Sequence, residues 1–370
     1  MAKEQKEVNK TFKTLEDLQK GIEKQFGSGA IMRGQGAIVN VDVFSTGVAS
    51  IDMALGCGGI PVGRIIEVYG AESSGKTTTC LQFIAACQQH IFPKTNKKGI
   101  AAFVDAEHAL DPRWAGKVGV NMDELLISQP ESGEEALSIV EMLVDSGLVN
   151  LIVVDSVAAL TPKSILEGQL GDSTMAALAQ LMSKSLSRIK GKCNKTQTTV
   201  IFINQVREKV GIVFGNPELT PGGRALKFYS SIRAEVKKGS AIKDGLNTIG
   251  FRPSIKIVKN KVAAPFITGE FDICVGMKER PIFGIDTVAS LLEVAATHNV
   301  VTRNGSFFVY GSKKLGNGVA NATSTLRVEP ALCKEIKDKT YEIAFGNRPR
   351  VEAVEEEEDS FDESEEVEGA

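Results

Sequence analysis

A chain of 370 residues, 42% of them hydrophobic, can bury one large core plus smaller appendages. Its longest apolar runs, such as LIVV at 151–154, fall far short of the roughly 20 residues that span a bilayer, and the opening MAKEQKEVNK is no secretory leader. Membrane and secreted classes are therefore set aside, and a cytoplasmic protein is expected. The formal net charge of −3 hides an asymmetry, because residues 352–370 hold eleven acidic side chains and no base. Without them 35 acids face 43 Lys and Arg, a body near +8 that attracts polyanions and carries a disordered tail. Charge alone leaves open whether that tail competes with polyanions or only solubilises. Cys57, Cys80, Cys87, Cys193, Cys274 and Cys333 lie far apart without a CxxC pair, which predicts buried free thiols rather than disulfides or zinc ligands.

In chain order, residues 14–27 set Leu15, Leu18, Ile22 and Phe26 on one stripe of a helix, opened by Thr14 with Asp17 three residues on and closed near Gly27. Such a stripe must be buried on the chain's own core or on a neighbouring subunit. From Phe44 to about Arg280, short apolar runs alternate with helical stretches. The runs are Ile65–Tyr69, Ala101–Asp105, Leu151–Asp155, Val200–Asn204, Ile232–Val236 and Ile255–Val258. The first four are separated by enough chain for crossover helices, so the fold class is α/β with a mostly parallel sheet covered on both faces. After Pro281 a smaller α+β segment is expected to reach Phe345, with a helix at 286–297 and turn-rich strands near 300–318. The expected domains are an N-terminal helix arm (1–38), a core (39–280), a small C-terminal α+β domain (281–345) and the acidic tail (346–370).

The string GAESSGKT at 70–77 fits the phosphate-loop pattern GxxxxGK followed by Ser or Thr, between a strand ending at Tyr69 and the helical run Thr78–His90. Gly70 and Gly75 let backbone amides curl around an oxyanion, with Glu72, Ser73, Ser74 and Thr78 completing the cradle. Lys76 would reach the β- and γ-phosphates of ATP, and the Thr77 hydroxyl would bind Mg²⁺. Asp155 ends an apolar strand and so reaches the same Mg²⁺ shell. Asp105 and Glu107 follow another strand, where open α/β sheets bind ligands. Either could activate water, and the residues alone do not choose. Gln205 ends a fourth strand with a neutral amide suited to sensing a γ-phosphate.

These motifs, in this order, resemble the bacterial-type RecA family. The matching strings are GAESSGKTT (70–78), DAEHALDP (105–112), VVDSVAALTPK (153–163), FINQVR (202–207), FGNPE (214–218), GGRALKFY (222–229) and VKNKVAAPF (258–266). With the N-terminal helix, the α+β segment and the tail, the resemblance covers essentially the whole chain. It implies a RecA-like ATPase that forms a helical filament on single-stranded DNA, pairs it with homologous duplex and exchanges strands in recombinational repair. It implies Glu107 as the base and Gln205 as the sensor. Lys259 and Lys261 would reach a neighbour's ATP in trans, and Asp111 and Trp114 would meet the adenine where the family commonly has a tyrosine. A planar indole suits a purine face as well.

Two DNA-binding loops follow from the same resemblance. The first, 167–175, includes Gly168 and Met175, with Ser183 on the helix beyond. The second runs from Arg207 through Lys209, Val210 and Phe214 to Gly222, Gly223 and Arg224. Glycines can approach a phosphate chain, the basic residues supply charge, and Met175, Val210 and Phe214 can wedge between bases. Phe228 would carry the signal between subunits. Departures from the family pattern are Ala71 for a proline, and Gln180 and Ser187 where arginines are usual, with Arg224, Lys184 and Arg188 as replacement charges. Pro221 and Leu219 also alter the end of the second loop. The segment 276–301 diverges most, leaving Lys256, Arg303, Lys313 and Lys314 as duplex-binding candidates. An SOS repressor and single-strand-binding or mediator proteins are further partners that the family offers and the sequence leaves open. A hexameric helicase or branch-migration motor and a nucleotide switch without DNA remain the alternatives. No four-cysteine zinc module, NKxD guanine reader or LSGGQ signature is present.

Overall fold

The computed structural model describes residues 12, 14–27, 30–31, 41–168, 174–208, 218–276 and 282–346. Lys209, Val210, Phe214, the acidic run 352–370 and the side chain of Met175 lie outside the described residues. Spatial contacts divide the chain into residues 1–41 and 42–370. In the first unit the Thr14 hydroxyl accepts from the Asp17 backbone N–H at 3.1 Å and starts the helix Leu15–Phe26, which ends on Gly27.

The second unit is built on an eight-stranded sheet: β1 (Ile65–Gly70), β2 (Ala101–Asp105), β3 (Leu126–Ser128), β4 (Leu151–Asp155), β5 (Thr199–Gln205), β6 (Ile232–Lys237), β7 (Ser254–Asn260) and β8 (Thr268–Glu270). Their order is β8-β7-β6-β1-β5-β4-β2-β3. The six strands from β6 to β3 run parallel, and β7 and β8 add an antiparallel edge. Every residue of β1, β2 and β4 is buried, as expected for parallel strands covered on both faces. Successive side chains of β4 enter different cores: Leu151 and Val153 join the Lys76–Gln89 helix on one face. Ile152 and Val154 meet the helices Gly133–Ser146 and Thr174–Thr196 on the other.

A third core holds the helix Thr287–Thr297, strands between Thr302 and Asn317, and the helices Gly318–Val328 and Pro330–Phe345. A buried carboxylate on the helix Ala49–Leu55 ties it to the main body. Asp52 accepts from the Tyr341 hydroxyl at 2.6 Å, the Thr46 hydroxyl at 2.7 Å, the Thr46 N–H at 2.9 Å and the Ser45 hydroxyl at 2.5 Å. Burial pushes the Asp52 carboxyl above the usual carboxylate range, and these donors pull it back. Arg252 bridges Asp272 and Glu293 at 2.6 and 2.8 Å, a second clasp to the same helical region.

The alternation read from the sequence is present, and Ala101–Asp105 and Leu151–Asp155 match residue for residue. Several elements are additional, three of them near the phosphate loop or at the edges of the core. They include the edge strand β3, the hairpin of Ile91–Phe92 with Lys97–Lys98, and a four-stranded sheet of Ala241–Asp244, Asn247–Phe251, Ile273–Val275 and Phe283–Ile285. That small sheet backs the phosphate loop: a Cβ on Gly75 would stand 2.6 Å from Ile273 Cδ1 and 3.3 Å from Phe251 Cζ.

Candidate functional site

The parallel register brings the carboxyl ends of four strands together. Gly70 of β1 lies beside Gln205 of β5, and Asp105 of β2 beside Asp155 of β4. Gly70 touches β6 so closely that a Cβ there would sit 2.0 Å from the Val236 carbonyl oxygen. Gly75, at φ +96°, turns the loop into the helix Lys76–Gln89, whose N-terminus faces the crevice. Glu72 and Ser73 are exposed, whereas the buried Ser74 Oγ has no hydrogen-bond partner. An unsatisfied buried hydroxyl inside a ring of amides fits an anion that supplies the missing partner.

Three consecutive threonines then point three ways, as roughly 100° per helical residue dictates. The Thr77 hydroxyl donates to Asp155 Oδ2 at 2.7 Å, Thr78 Oγ1 accepts from the Trp114 indole N–H at 3.2 Å, and the Thr79 hydroxyl donates to the Gly75 carbonyl at 2.8 Å. Lys76 is 8% exposed and donates to the Ala71 carbonyl at 2.7 Å. Burial lowers its pKa, against the carboxylates of Asp155 and Glu107. Burial pushes the Asp155 carboxyl up to about 6, with the Thr77 hydroxyl opposing the rise. A hydroxyl and a carboxylate bonded to each other fit Mg²⁺, which takes one or two protein oxygens and completes its shell with phosphates and water. Among the described residues, no group of three or more His, Cys, Asp and Glu could hold a metal ion.

The two candidate bases differ sharply. Asp105 is 1% exposed, and its oxygens accept from the Ala109 and Leu110 N–H groups at 3.1 Å each and from Gln129 Nε2 at 3.0 Å. It folds the turn that follows β2. Glu107 is exposed at the mouth, where one oxygen accepts from the Ser156 hydroxyl and from Gln205 Nε2 at 3.2 Å. Asp111 caps the helix Pro112–Val118 by accepting from the Arg113 and Trp114 N–H groups, and Trp114 packs partly against the core on that face. Trp114 thus belongs in part to the core.

Beneath Gln205, the buried Asn204 uses its whole amide. Its Nδ2 donates to Glu67 Oε1 and to the Pro221 carbonyl, both at 3.0 Å, and its Oδ1 accepts from the Gln205 N–H at 3.0 Å. Glu67 in turn holds Arg233 at 2.5 Å. Lys259 pairs across the sheet with Arg233, which itself lies beside Glu67 of β1. Its ammonium donates to the Lys227 and Phe228 carbonyls at 2.5 and 3.3 Å. Burial, then Lys261, Arg233 and Lys190, lower its pKa. At roughly 3.3 Å per residue, Lys259 is about 10 Å of strand away from the level of Gly70, and Lys261 lies further still. Neither lysine reaches the phosphate loop of its own chain.

The DNA candidates lie on the segments that follow β4 and β5 in the chain. Gly168 follows the short helix Lys163–Leu166 and is exposed, as are Ser183, Arg207 and Arg224. Arg207 pairs with Leu219 in a two-residue ladder. Gly222 and Gly223 adopt φ +84° and +71°. Cβ atoms there would stand 3.0 Å from Val157 Cγ1 and 2.8 Å from Ala179 Cβ. The exit of the second loop therefore rests on the chain just after Asp155 and on the helix that follows the first loop. Of the replacement charges, Arg188 is held by Glu141 at 2.9 Å, and among the C-terminal candidates Lys313 is held by Glu329.

A sequence model of the RecA N-terminal domain matches residues 13–278, and one of the RecA C-terminal domain matches 289–344. The chain belongs to the RecA family. Curated proteins named Protein RecA from Clostridium novyi, Thermus thermophilus and Methylococcus capsulatus are 49%, 50% and 48% identical to it. The aligned regions cover 90%, 90% and 92% of this chain and 92%, 94% and 96% of those proteins. This RecA-family chain is a DNA-dependent ATPase and recombinase that uses ATP and Mg²⁺ and binds single- and double-stranded DNA. No described helix is long and apolar enough to cross a membrane. Sequence reasoning missed Ser156, Gln129, Glu67, Asn204 and Arg233. A charged residue at the centre of an otherwise apolar strand, as in RIIEVYG at 64–70, was the one available signal for Glu67.

Proposed function

We propose that ATP hydrolysis occurs at the carboxyl ends of β1, β2, β4 and β5, with Glu107 as general base. Water attacks the γ-phosphorus, Glu107 takes its proton, and the bond to the leaving β-phosphate oxygen breaks. Lys76 bears the growing charge there. Thr77 and Asp155 would hold Mg²⁺, which neutralises charge on the β- and γ-oxygens. The supporting observation is the division of labour between the two carboxylates: Asp105 is buried and saturated, while Glu107 is exposed and shares one oxygen with Gln205. A γ-phosphate competing for the Gln205 amide would loosen that contact. The shift passes along the backbone to Arg207 and, through Asn204 and Pro221, to the exit of the second loop.

Lys259 and Lys261, displaced from their own phosphate loop, serve a neighbour's ATP. That places hydrolysis at subunit interfaces of a filament formed on single-stranded DNA in the cytoplasm, which pairs with duplex and exchanges strands. Residues 1–38 act as the assembly arm, 39–280 as the ATPase and DNA core, 281–345 as a duplex-facing domain, and 346–370 as a competing polyanion. SOS repressor cleavage and mediator proteins belong to the same family reading. Negative-stain imaging with a non-hydrolysed ATP analogue and single-stranded DNA tests the assembly: helical filaments support it, and closed rings would replace it with a hexameric motor.

A further inference from the structure

The middle threonine of the three is distinctive. Thr79 donates its proton to the helix backbone and Thr77 to Asp155, but Thr78 Oγ1 is an acceptor, from the indole N–H of Trp114 at 3.2 Å. An indole N–H can only donate. Its bond occupies one lone pair of the hydroxyl and excludes rotamers that turn the Thr78 proton toward the ring. Among the described residues the Thr78 proton has no acceptor, although a helical threonine commonly returns it to the carbonyl four residues back. Thr78 stands two residues into the helix that begins at Lys76, on the threshold of the phosphate loop.

The residue is held at both ends. Its backbone N–H donates to the Asp111 carboxylate at 3.3 Å in the helix cap, and its ring packs partly against the core. Its edge is thus tied to the phosphate-loop helix.

We infer that Trp114 is a positioning residue for the phosphate chain as well as a surface for the base: its indole N–H aims the Thr78 hydroxyl as a donor to the α-phosphate of a bound nucleoside di- or triphosphate. This deepens the nucleotide-site reading above and rests on it. Base recognition and phosphate recognition then share one hydrogen bond, so a nucleotide that seats its base against the ring meets an already oriented donor at its first phosphate. Nucleosides without phosphates gain nothing from that bond.

The chain contains a single tryptophan, so replacing tryptophan with β-(3-benzothienyl)alanine during expression alters this site alone. Sulfur then stands where the N–H was, and the ring's shape is kept. Affinities for Mg²⁺·ADP and for adenosine are measured by competition against a fluorescent ADP analogue. The inference expects ADP affinity to fall about three- to tenfold, the worth of one neutral hydrogen bond, with adenosine unchanged. Trp114→Phe, which also gives up stacking area, should lower ADP affinity by more than adenosine affinity, and its unfolding midpoint reports whether the fold is kept. Thr78→Val should cost the unsubstituted protein a similar factor and the benzothienyl protein almost nothing, while Thr78→Ser should retain affinity. Equal losses for ADP and adenosine, or independent losses from the two changes, would leave Trp114 as a stacking surface and overturn the inference. Lys76→Ala separates the levels, because undiminished ADP affinity there would displace the nucleotide site itself and the inference with it.

Discussion

The candidate nucleotide crevice and the segments proposed to bind DNA follow neighbouring strand ends, yet they hold their side chains differently. In the crevice Lys76, Thr77, Thr78, Glu107, Asp111 and Asp155 all have named partners within the chain. On the DNA side Gly168, Ser183, Arg207 and Arg224 are exposed, and the structure fixes mainly the glycines of the loop exit. Phosphoryl transfer gains from groups already oriented before reaction, since reorganisation at the moment of reaction raises the barrier. A DNA backbone of any sequence is better met by charge and stacking surfaces that can adjust. Asn204 sits at the junction, with a bond to each side.

The largest effect that would break this contrast concerns the base. Glu107→Gln should slow turnover by roughly 10²–10⁴-fold while ATP binding and assembly persist; normal hydrolysis by that variant would reassign the base. Next, Lys259→Ala should impair hydrolysis only in assembled protein, and mixing it with Lys76→Ala protein should restore activity at the mixed interfaces. Confirmed mixed filaments with no recovery would count against action in trans.

Asp105→Asn sharpens the difference between the carboxylates, because it should act on stability. Turning an amide donor toward the Ala109 N–H, or toward the Leu110 N–H and Gln129, should cost about 1–3 kcal/mol, read as a lower denaturation midpoint. Glu107→Gln should leave that midpoint nearly unchanged. Gly222→Ala, at φ +84° and 3.0 Å from Val157, carries about 1–2 kcal/mol of left-handed strain. It should weaken single-strand binding more than ATP binding; equal losses would deny the loop exit a separate role. The smallest effect is expected of the tail. Truncation after Arg350 should strengthen duplex binding at low salt and lower the Mg²⁺ needed for strand exchange. The gain should fade as the Debye length falls from about 10 Å at 0.1 M to about 3 Å at 1 M. Equal duplex affinities at low salt would leave the tail a solubiliser.

What the sequence by itself determined are features set over a few residues. The Thr14–Asp17 cap, the glycine-framed phosphate loop, and the buried runs at 101–105 and 151–155 depend on local backbone preference and hydrophobic period. The family resemblance added Glu107 to that reading. Only the tertiary structure decided which carboxylate is saturated, because Asp105 and Glu107 are two residues apart and Gln129 arrives from a later segment. It also joined Trp114 to Thr78, and it set Glu67 against Asn204 and Arg233 across strands far apart in sequence. The small sheet behind Gly75 was hidden for the same reason: its strands of three to five residues are too short to show a period and are stabilised by partners brought in by the fold.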